Sequence, residues 1–211
     1  MRKSLILAAL GTTAIGGNAL ADGFNYNYVQ GSVLGSRVKS GGDSDSGKGW
    51  RIEGSISNDQ PLFLALSYSR NKYSADSDHL EFTNAAALVG AHLSLGPNLD
   101  LLGGISYDSL KVTPHVAYTP RDTNASRSGL GLAAGLRGRF GPKLEWNAGV
   151  RYRDMEKIDP IIGITLGGSY QLTPALSVNV AASHEKYDKS TLDANESVLA
   201  AGVRYQFGTR D

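Results

Sequence analysis

The 211-residue sequence contains no cysteine. A fold stapled by disulfides is therefore excluded, and so is thiolate ligation of zinc or of an iron–sulfur cluster. The sequence also lacks a charge bias, because 21 Lys and Arg residues balance 20 Asp and Glu residues. This balance gives no electrostatic case for nucleic-acid binding. Phosphate-loop, dinucleotide and zinc-protease motifs are absent as well, and we expect neither a cofactor nor a metal.

Long hydrophobic runs are nearly absent, and the mean hydropathy is −0.22. A membrane-spanning helix needs roughly 20 consecutive apolar residues, and no segment reaches that length. The start of the chain has basic residues at positions 2 and 3, an apolar run over 5–10 and the sequence Ala19-Leu20-Ala21. This order is typical of a secretory signal peptide with a small-residue cleavage site. We predict a signal peptide over 1–21, cleaved after Ala21, and a single domain over 22–211.

Alternation of apolar and polar residues is what the rest of the chain does have, and it is clearest over 129–153. Two alternating runs flank the short turn Gly141-Pro142-Lys143, so the stretch is predicted to be a β-hairpin. One face is apolar and includes Leu130, Leu132, Ala134, Leu136, Phe140, Leu144, Trp146, Ala148, Val150 and Tyr152. The opposite face mixes glycine with charge: Gly131, Ala133, Gly135, Arg137, Arg139, Glu145, Asn147, Gly149, Arg151 and Arg153. Bare glycine beside arginine indicates a crowded polar interior, with the apolar face turned to lipid.

The same alternation recurs in ten segments along the chain. They cover about 24–36, 48–58, 62–72, 80–95, 99–112, 128–140, 144–154, 161–172, 176–187 and 197–207. Short turns, each containing a proline, alternate with longer polar loops at about 37–47, 73–79, 113–127, 155–160 and 188–196. Sorting of short turns to one rim and longer loops to the other is typical of outer-membrane barrels. The prediction is an all-β fold, a transmembrane antiparallel up-and-down β-barrel of ten strands, with eight strands as the second architecture.

The large aromatic residues of the apolar face lie near strand ends. We interpret them as two interfacial girdles, in which each ring has one part in hydrocarbon and one part near the headgroups. The upper girdle, next to the long loops, is Trp50, Tyr68, Tyr107 and Tyr152; the lower girdle, toward the short turns, is Phe140, Trp146, Tyr170, Tyr205 and Phe207.

The inward face carries a balanced set of charges. Its members are Arg51, Glu53, Asp100, Asp108, Arg137, Arg139, Glu145, Arg151, Arg153, Glu185 and Arg204. Pairing across the turn at 141–143 sets Arg139 opposite Glu145 and Arg137 opposite Asn147, with Arg151 and Arg153 opposite Ala133 and Gly131. One interpretation is a charge-lined selective pore. We favour the other, a network that fills a narrow interior, because near-balanced charge implies pairing.

Three small constellations could carry chemistry. His92 and Ser94 have the spacing of a lipid A deacylase pair, although a histidine packed in the barrel interior is the simpler interpretation. The second is His79 with Asp76 and Asp78, which resembles the His–Asp element of an omptin-type protease, but no matching Asp–Asp dyad is present. Asp43 and Asp45 could contact calcium, or they could simply lie in a solvated loop tip. None is a complete catalytic set, so we predict that the protein is not an enzyme.

The segments Asn25 to Gly31 and Val198 to Phe207 resemble the small single-domain outer-membrane barrels of the opacity-protein superfamily. The resemblance covers the domain and implies the same barrel fold. It also implies a last strand that the barrel assembly machinery reads, and Val203, Tyr205 and Phe207 match that pattern. Members of this superfamily are surface adhesins, complement-resistance factors or proteins with no known activity.

These observations predict an outer-membrane protein of a Gram-negative bacterium that acts through its extracellular loops or as a structural part of the envelope. A barrel enzyme and a small passive channel are the alternatives. The expected partners are outer-membrane lipid and lipopolysaccharide, the assembly machinery, and a host or cell-surface ligand, but not nucleic acid. The longest loop, about 113–128, is the predicted contact surface, because it presents His115, Tyr118, Arg121 and Asn124 together.

Overall fold

The computed structural model describes residues 24–40, 42–58, 61–75, 78–115, 125–156, 158–187 and 194–208. The predicted signal peptide, and with it the boundary of the predicted domain, lies outside these residues. So does the centre of the longest loop, 116–124. Among the residues described, no helix is long and apolar enough to cross a membrane.

The described residues form ten strands: β1 Tyr28–Ser40, β2 Asp43–Ser57, β3 Leu62–Ala75, β4 Asp78–Gly96, β5 Leu99–His115, β6 Ala125–Phe140, β7 Leu144–Met155, β8 Ile158–Gln171, β9 Leu176–Tyr187 and β10 Ala194–Gln206. Each strand pairs antiparallel with the next, and β1 pairs with β10 to close the barrel. Closure leaves no free sheet edge, so the backbone donors and acceptors of the strands pair within the ladder, as a bilayer requires. The prediction of a ten-stranded up-and-down barrel is confirmed.

The register of the hairpin formed by β6 and β7 is also confirmed. Arg139 pairs with Glu145 and Arg137 with Asn147, while Arg151 and Arg153 lie opposite Ala133 and Gly131. The turn between the two strands begins at Gly141, whose φ of 68° lies in the left-handed region that glycine adopts without strain.

Side chains alternate between an exposed apolar exterior and a buried interior along every strand. In β1, where the sequence pattern is ambiguous, Tyr28 points inward and is 3% exposed, whereas Val29 is 46% and Val33 is 67% exposed. Phe24 and Tyr26, which precede β1, are buried as well. The segment from Phe24 through β1 therefore turns its aromatic rings into the barrel, and Val29 and Val33 to lipid.

Three of the predicted long loops are much shorter in the structure. The hairpins continue to Ser40 and Asp43, to Ala75 and Asp78, and to Met155 and Ile158, so most of 37–47, 73–79 and 155–160 is strand. Polar residues on both faces hide the two-residue period there, yet the backbone ladder continues because it needs no apolar side chain. The rim opposite the short turns is therefore built from extended hairpins as well as from loops.

Candidate functional site

The barrel interior is built in layers, and the central layer consists of ion pairs. Arg153 Nη2 lies 2.5 Å from Glu185 Oε2. Arg151 Nη2 donates to Asp108 Oδ1 at 2.8 Å and to Ser106 Oγ at 2.9 Å. All five side chains are buried, so each charge is neutralised inside the barrel rather than by bulk water.

A second set of interior contacts crosses the closure between β1 and β10. Gln30 lies between Glu53 and Arg204 in the register. It donates from Nε2 to Glu53 Oε2 at 2.9 Å and accepts from Arg204 Nε at 2.9 Å. The guanidinium of Arg204 also lies 4.3 Å from the centroid of the Tyr28 ring, a cation–π contact. Sequence reasoning missed Gln30, because the facing of β1 was ambiguous.

In the interior layer nearest the short turns, two arginines form ion pairs with the same carboxylate. Glu145 forms ion pairs with Arg137 and, at 3.3 Å, with Arg139. Both guanidinium groups lie over the Phe24 ring, at 4.8 and 4.7 Å from its centroid. The segment before β1 therefore enters the barrel and packs on this layer.

Tyr26, in the same segment before β1, also packs inside the barrel. Its ring stacks on Phe63 at 5.1 Å and on His92 at 4.6 Å, and its hydroxyl donates to Asp100 Oδ2 at 3.3 Å. His92 Nδ1 lies 3.9 Å from Asp100 Oδ2. The hydroxyl of Ser94 instead donates to the carbonyl of Gly96 at 3.0 Å. The structure thus gives His92 and Ser94 different partners and does not bring them together as a catalytic pair.

Above the upper girdle the interior becomes apolar, which the sequence analysis did not anticipate. We call this group the apolar cap: Tyr73, Phe82, Leu110, Val112, Met155, Ile161, Tyr187 and Ala194, with Val38 and Leu80 packed against it. Tyr73 donates to Glu196 Oε1 at 2.6 Å, which satisfies a carboxylate beneath the cap. The sequence did contain a signal for the apolar cap. Its residues occupy the same alternate strand positions as the inward charged residues, but they lie beyond the upper girdle.

The charged residues predicted for the interior all lie there. Arg51, Glu53, Asp100, Arg137, Arg151, Arg153, Glu185 and Arg204 are buried, and Arg139 and Glu145 are half-buried. The predicted girdle residues all lie on the outside. Among them Trp50 contacts Tyr68 with ring centroids 5.6 Å apart, and Phe140 stacks on Trp146 at 6.1 Å.

The remaining predicted residues give no assembled site in the part of the chain that the structure describes. Tyr118, Arg121, Asn124 and Asp76 lie outside it, as do the side chains of Asp78, His79 and His115. The backbones of His79 and His115 are register partners at the end of β4 and β5. Asp43 is exposed at the tip of the first hairpin, and Asp45 is half-buried next to it. No group of three or more His, Cys, Asp or Glu residues could hold a metal ion among the described residues.

The closed antiparallel ladder, the apolar exterior and the aromatic residues at both ends of that exterior define a transmembrane β-barrel. The family model described as "Outer membrane protein beta-barrel domain" matches residues 5–165, more than half of the chain. The protein belongs to this family, and its place is the outer membrane.

The chain is similar to solved structures of other proteins. Neisserial surface protein A is 18% identical, with a TM-score of 0.51, and the match covers 85% of this chain and 96% of that one. The attachment invasion locus protein Ail of Yersinia pestis is 13% identical, with a TM-score of 0.47, and the match covers 86% and 97%. No curated protein matches the sequence.

Proposed function

We propose that this protein is a surface-interaction protein of a Gram-negative outer membrane, which binds its partner through the extracellular end of the barrel and catalyses no reaction. The observation that carries the proposal is the apolar cap. The cap draws side chains from eight of the ten strands across the interior at this end. A barrel closed in this way presents a continuous surface to the outside instead of a pore mouth.

Strand length supports the same proposal. A barrel strand crosses the bilayer in about 9–11 residues, but β4 has 19 residues and β5 has 17. Beyond Tyr107 of the upper girdle, β5 turns Ser109, Lys111 and Thr113 outward. On the neighbouring hairpin, Arg70 and Glu81 form an outward ion pair at 2.5 Å. We infer that these hairpins provide a polar surface above the lipid, next to the strand ends that the loop 116–124 connects.

The filled interior also argues against the passive channel. Planar-bilayer recordings with the refolded protein should give no conductance steps above those of protein-free bilayers. Stable steps that depend on protein concentration would favour the channel and contradict our proposal.

The direct test is to replace 116–124 by the two residues Asn-Gly, which leaves a five-residue connection between the register partners Val112 and Ala125, a length that hairpins use. The shortened protein should keep heat-modifiable gel migration. Cells that display it should lose adhesion to cultured epithelial monolayers, compared with cells that display the intact protein. A matched control keeps the loop length but substitutes a Gly/Ser sequence, and it should lose adhesion as well if side chains make the contact.

Unchanged adhesion of both variants would overturn the role of this loop. An epitope inserted at Thr123 should bind antibody on intact cells, and protection from antibody would mean that the topology is inverted. If neither variant nor deletion of the gene alters adhesion, but deletion sensitises cells to detergent, the protein acts as a structural component of the envelope.

A further inference from the structure

The outer wall has an uneven charge distribution above the lipid boundary. On the adjacent strands β2, β1, β10, β9 and β8, the outward positions of the described residues hold four long basic side chains, Arg37, Lys39, Lys48 and Lys186, and no acid. The exposed Asp43 lies at the tip of the hairpin and has the parity of the inward residues of β2. None of these four has an ion-pair partner in the part of the chain that the structure describes. The opposite side of the barrel carries outward acids, Glu81 and Asp154.

A shallow groove of about 860 Å³ lies directly beneath this basic group. Its floor is Gly35, at which an added Cβ would meet no atom within 4 Å. Apolar side chains flank the floor, among them Ile164, Leu166 and Leu199, and all three are exposed on the exterior. The groove is therefore an apolar furrow in the lipid-facing wall.

The rim of the groove is polar and basic. Arg37 and Lys48 line it from one side and His184 lines it from the other. His184 Nδ1 lies 3.0 Å from the hydroxyl oxygen of Ser197, which sits between His184 and Arg37 in the register. Lys48 is the next outward residue above Trp50 of the upper girdle, so the rim stands at the height of the lipid headgroups.

We propose that this groove binds a phosphorylated saccharolipid of the outer leaflet, the lipid A part of lipopolysaccharide. The furrow takes an acyl chain, and the cations at the rim take the phosphates of the headgroup. A basic group without acids at the headgroup level is complementary to phosphate, whereas an apolar partner strand would leave the cations unpaired. The inference rests on the proposed Gram-negative envelope but not on adhesion by the loop.

The test uses the full chain, purified in detergent, with native mass spectrometry of bound lipid. The probes are bisphosphorylated lipid A, its dephosphorylated form and phosphatidylglycerol. The double variant R37S/K48S should bind bisphosphorylated lipid A about thirtyfold more weakly, because each basic group near a charged surface contributes about 1 kcal/mol. The variant Gly35→Leu fills the floor and should weaken binding while the barrel still folds, because there is space for the side chain.

The matched control is K72S/K111S, which removes two outward exposed lysines from the other side of the barrel. It should retain wild-type affinity. An equal loss of lipid A affinity in the two double variants would mean that binding depends only on the overall charge of the protein, and this would overturn the proposal. So would equal binding of phosphatidylglycerol or of dephosphorylated lipid A, or no binding of lipid A to the wild type. Heat-modifiable migration confirms folding of each variant, and unchanged adhesion of R37S/K48S would separate this site from the loop.

Discussion

Arg153 and Glu185 form an ion pair between strands that are not neighbours. Arg153 lies on β7 and Glu185 on β9, and their side chains meet at 2.5 Å over the inner face of β8, where Gly163 is the register partner of Glu185. A Cβ at Gly163 would lie 3.2 Å from Glu185 Cγ, closer than an ordinary contact. Glycine in β8 thus provides the space in which two long side chains meet, both only 2% exposed.

This ion pair should be strongly coupled in stability. Glu185→Gln leaves a buried guanidinium without its carboxylate and should lower the free energy of unfolding by about 3–5 kcal/mol. The double variant with Arg153→Met should recover part of that loss. Urea unfolding from lipid vesicles measures both, and Glu81→Gln at the exposed pair with Arg70 serves as the control with little effect. A double-mutant cycle without coupling would contradict the pairing.

Gly131 should tolerate no side chain. An added Cβ would lie 2.5 Å from Ser106 Oγ and 3.0 Å from Asp108 Oδ2. Both oxygen atoms accept hydrogen bonds from Arg151. Gly131→Ala should therefore displace that network and cost about 1–3 kcal/mol. Gly31→Ala is the matched control, because nothing lies within 4 Å of its Cβ. Equal unfolding free energies for the two variants would show that the interior is looser than described.

A charged substitution on the lipid-facing surface should destabilise the barrel more, the closer it lies to the bilayer midplane. Val150 is exposed and lies between Trp146 and Tyr152, the girdle residues of β7. Val150→Arg should cost about 2–4 kcal/mol, whereas Ser109→Arg, just beyond Tyr107, should cost only about 0–1 kcal/mol. The measurement is reversible unfolding from phospholipid vesicles. A Val150→Arg protein as stable as the wild type would place this position outside the hydrocarbon.

The apolar cap should control opening of the barrel end above the upper girdle. Phe82 is 2% exposed and packs edge-on against Tyr73 at 5.3 Å. Phe82→Ala should lower stability by about 3–5 kcal/mol and speed amide hydrogen exchange at the upper ends of β3 and β4. Phe63→Ala removes the same ring from the cluster nearer the short turns, so exchange at the upper ends should stay slow. The same exchange pattern in both variants would mean that the interior opens as one unit.

Much of this architecture is predictable from local sequence. The strands of the hairpin at 129–153, its register and the outward facing of Val150 follow from a period of two next to a short turn. The proline-containing turns set the strand count, because proline cannot donate to a ladder and so marks where pairing stops. Strand ends above the upper girdle were less predictable, because Asp43 and Ser40 belong to a ladder that shows no alternation of apolar and polar residues.

The sequence by itself therefore determined the barrel class, favoured ten strands over eight, and predicted the two faces of every strand except β1, since each of these depends on neighbours along the chain. Only the tertiary structure decided which distant residues meet. The bond of Gln30 to Arg204, the stacking of Tyr26 on His92, the apolar cap and the basic groove across β1 and β10 all depend on barrel closure. These contacts depend on how all ten strands tilt and close into a ring. The alternation of residues within one strand contains no information about where the first strand pairs with the last.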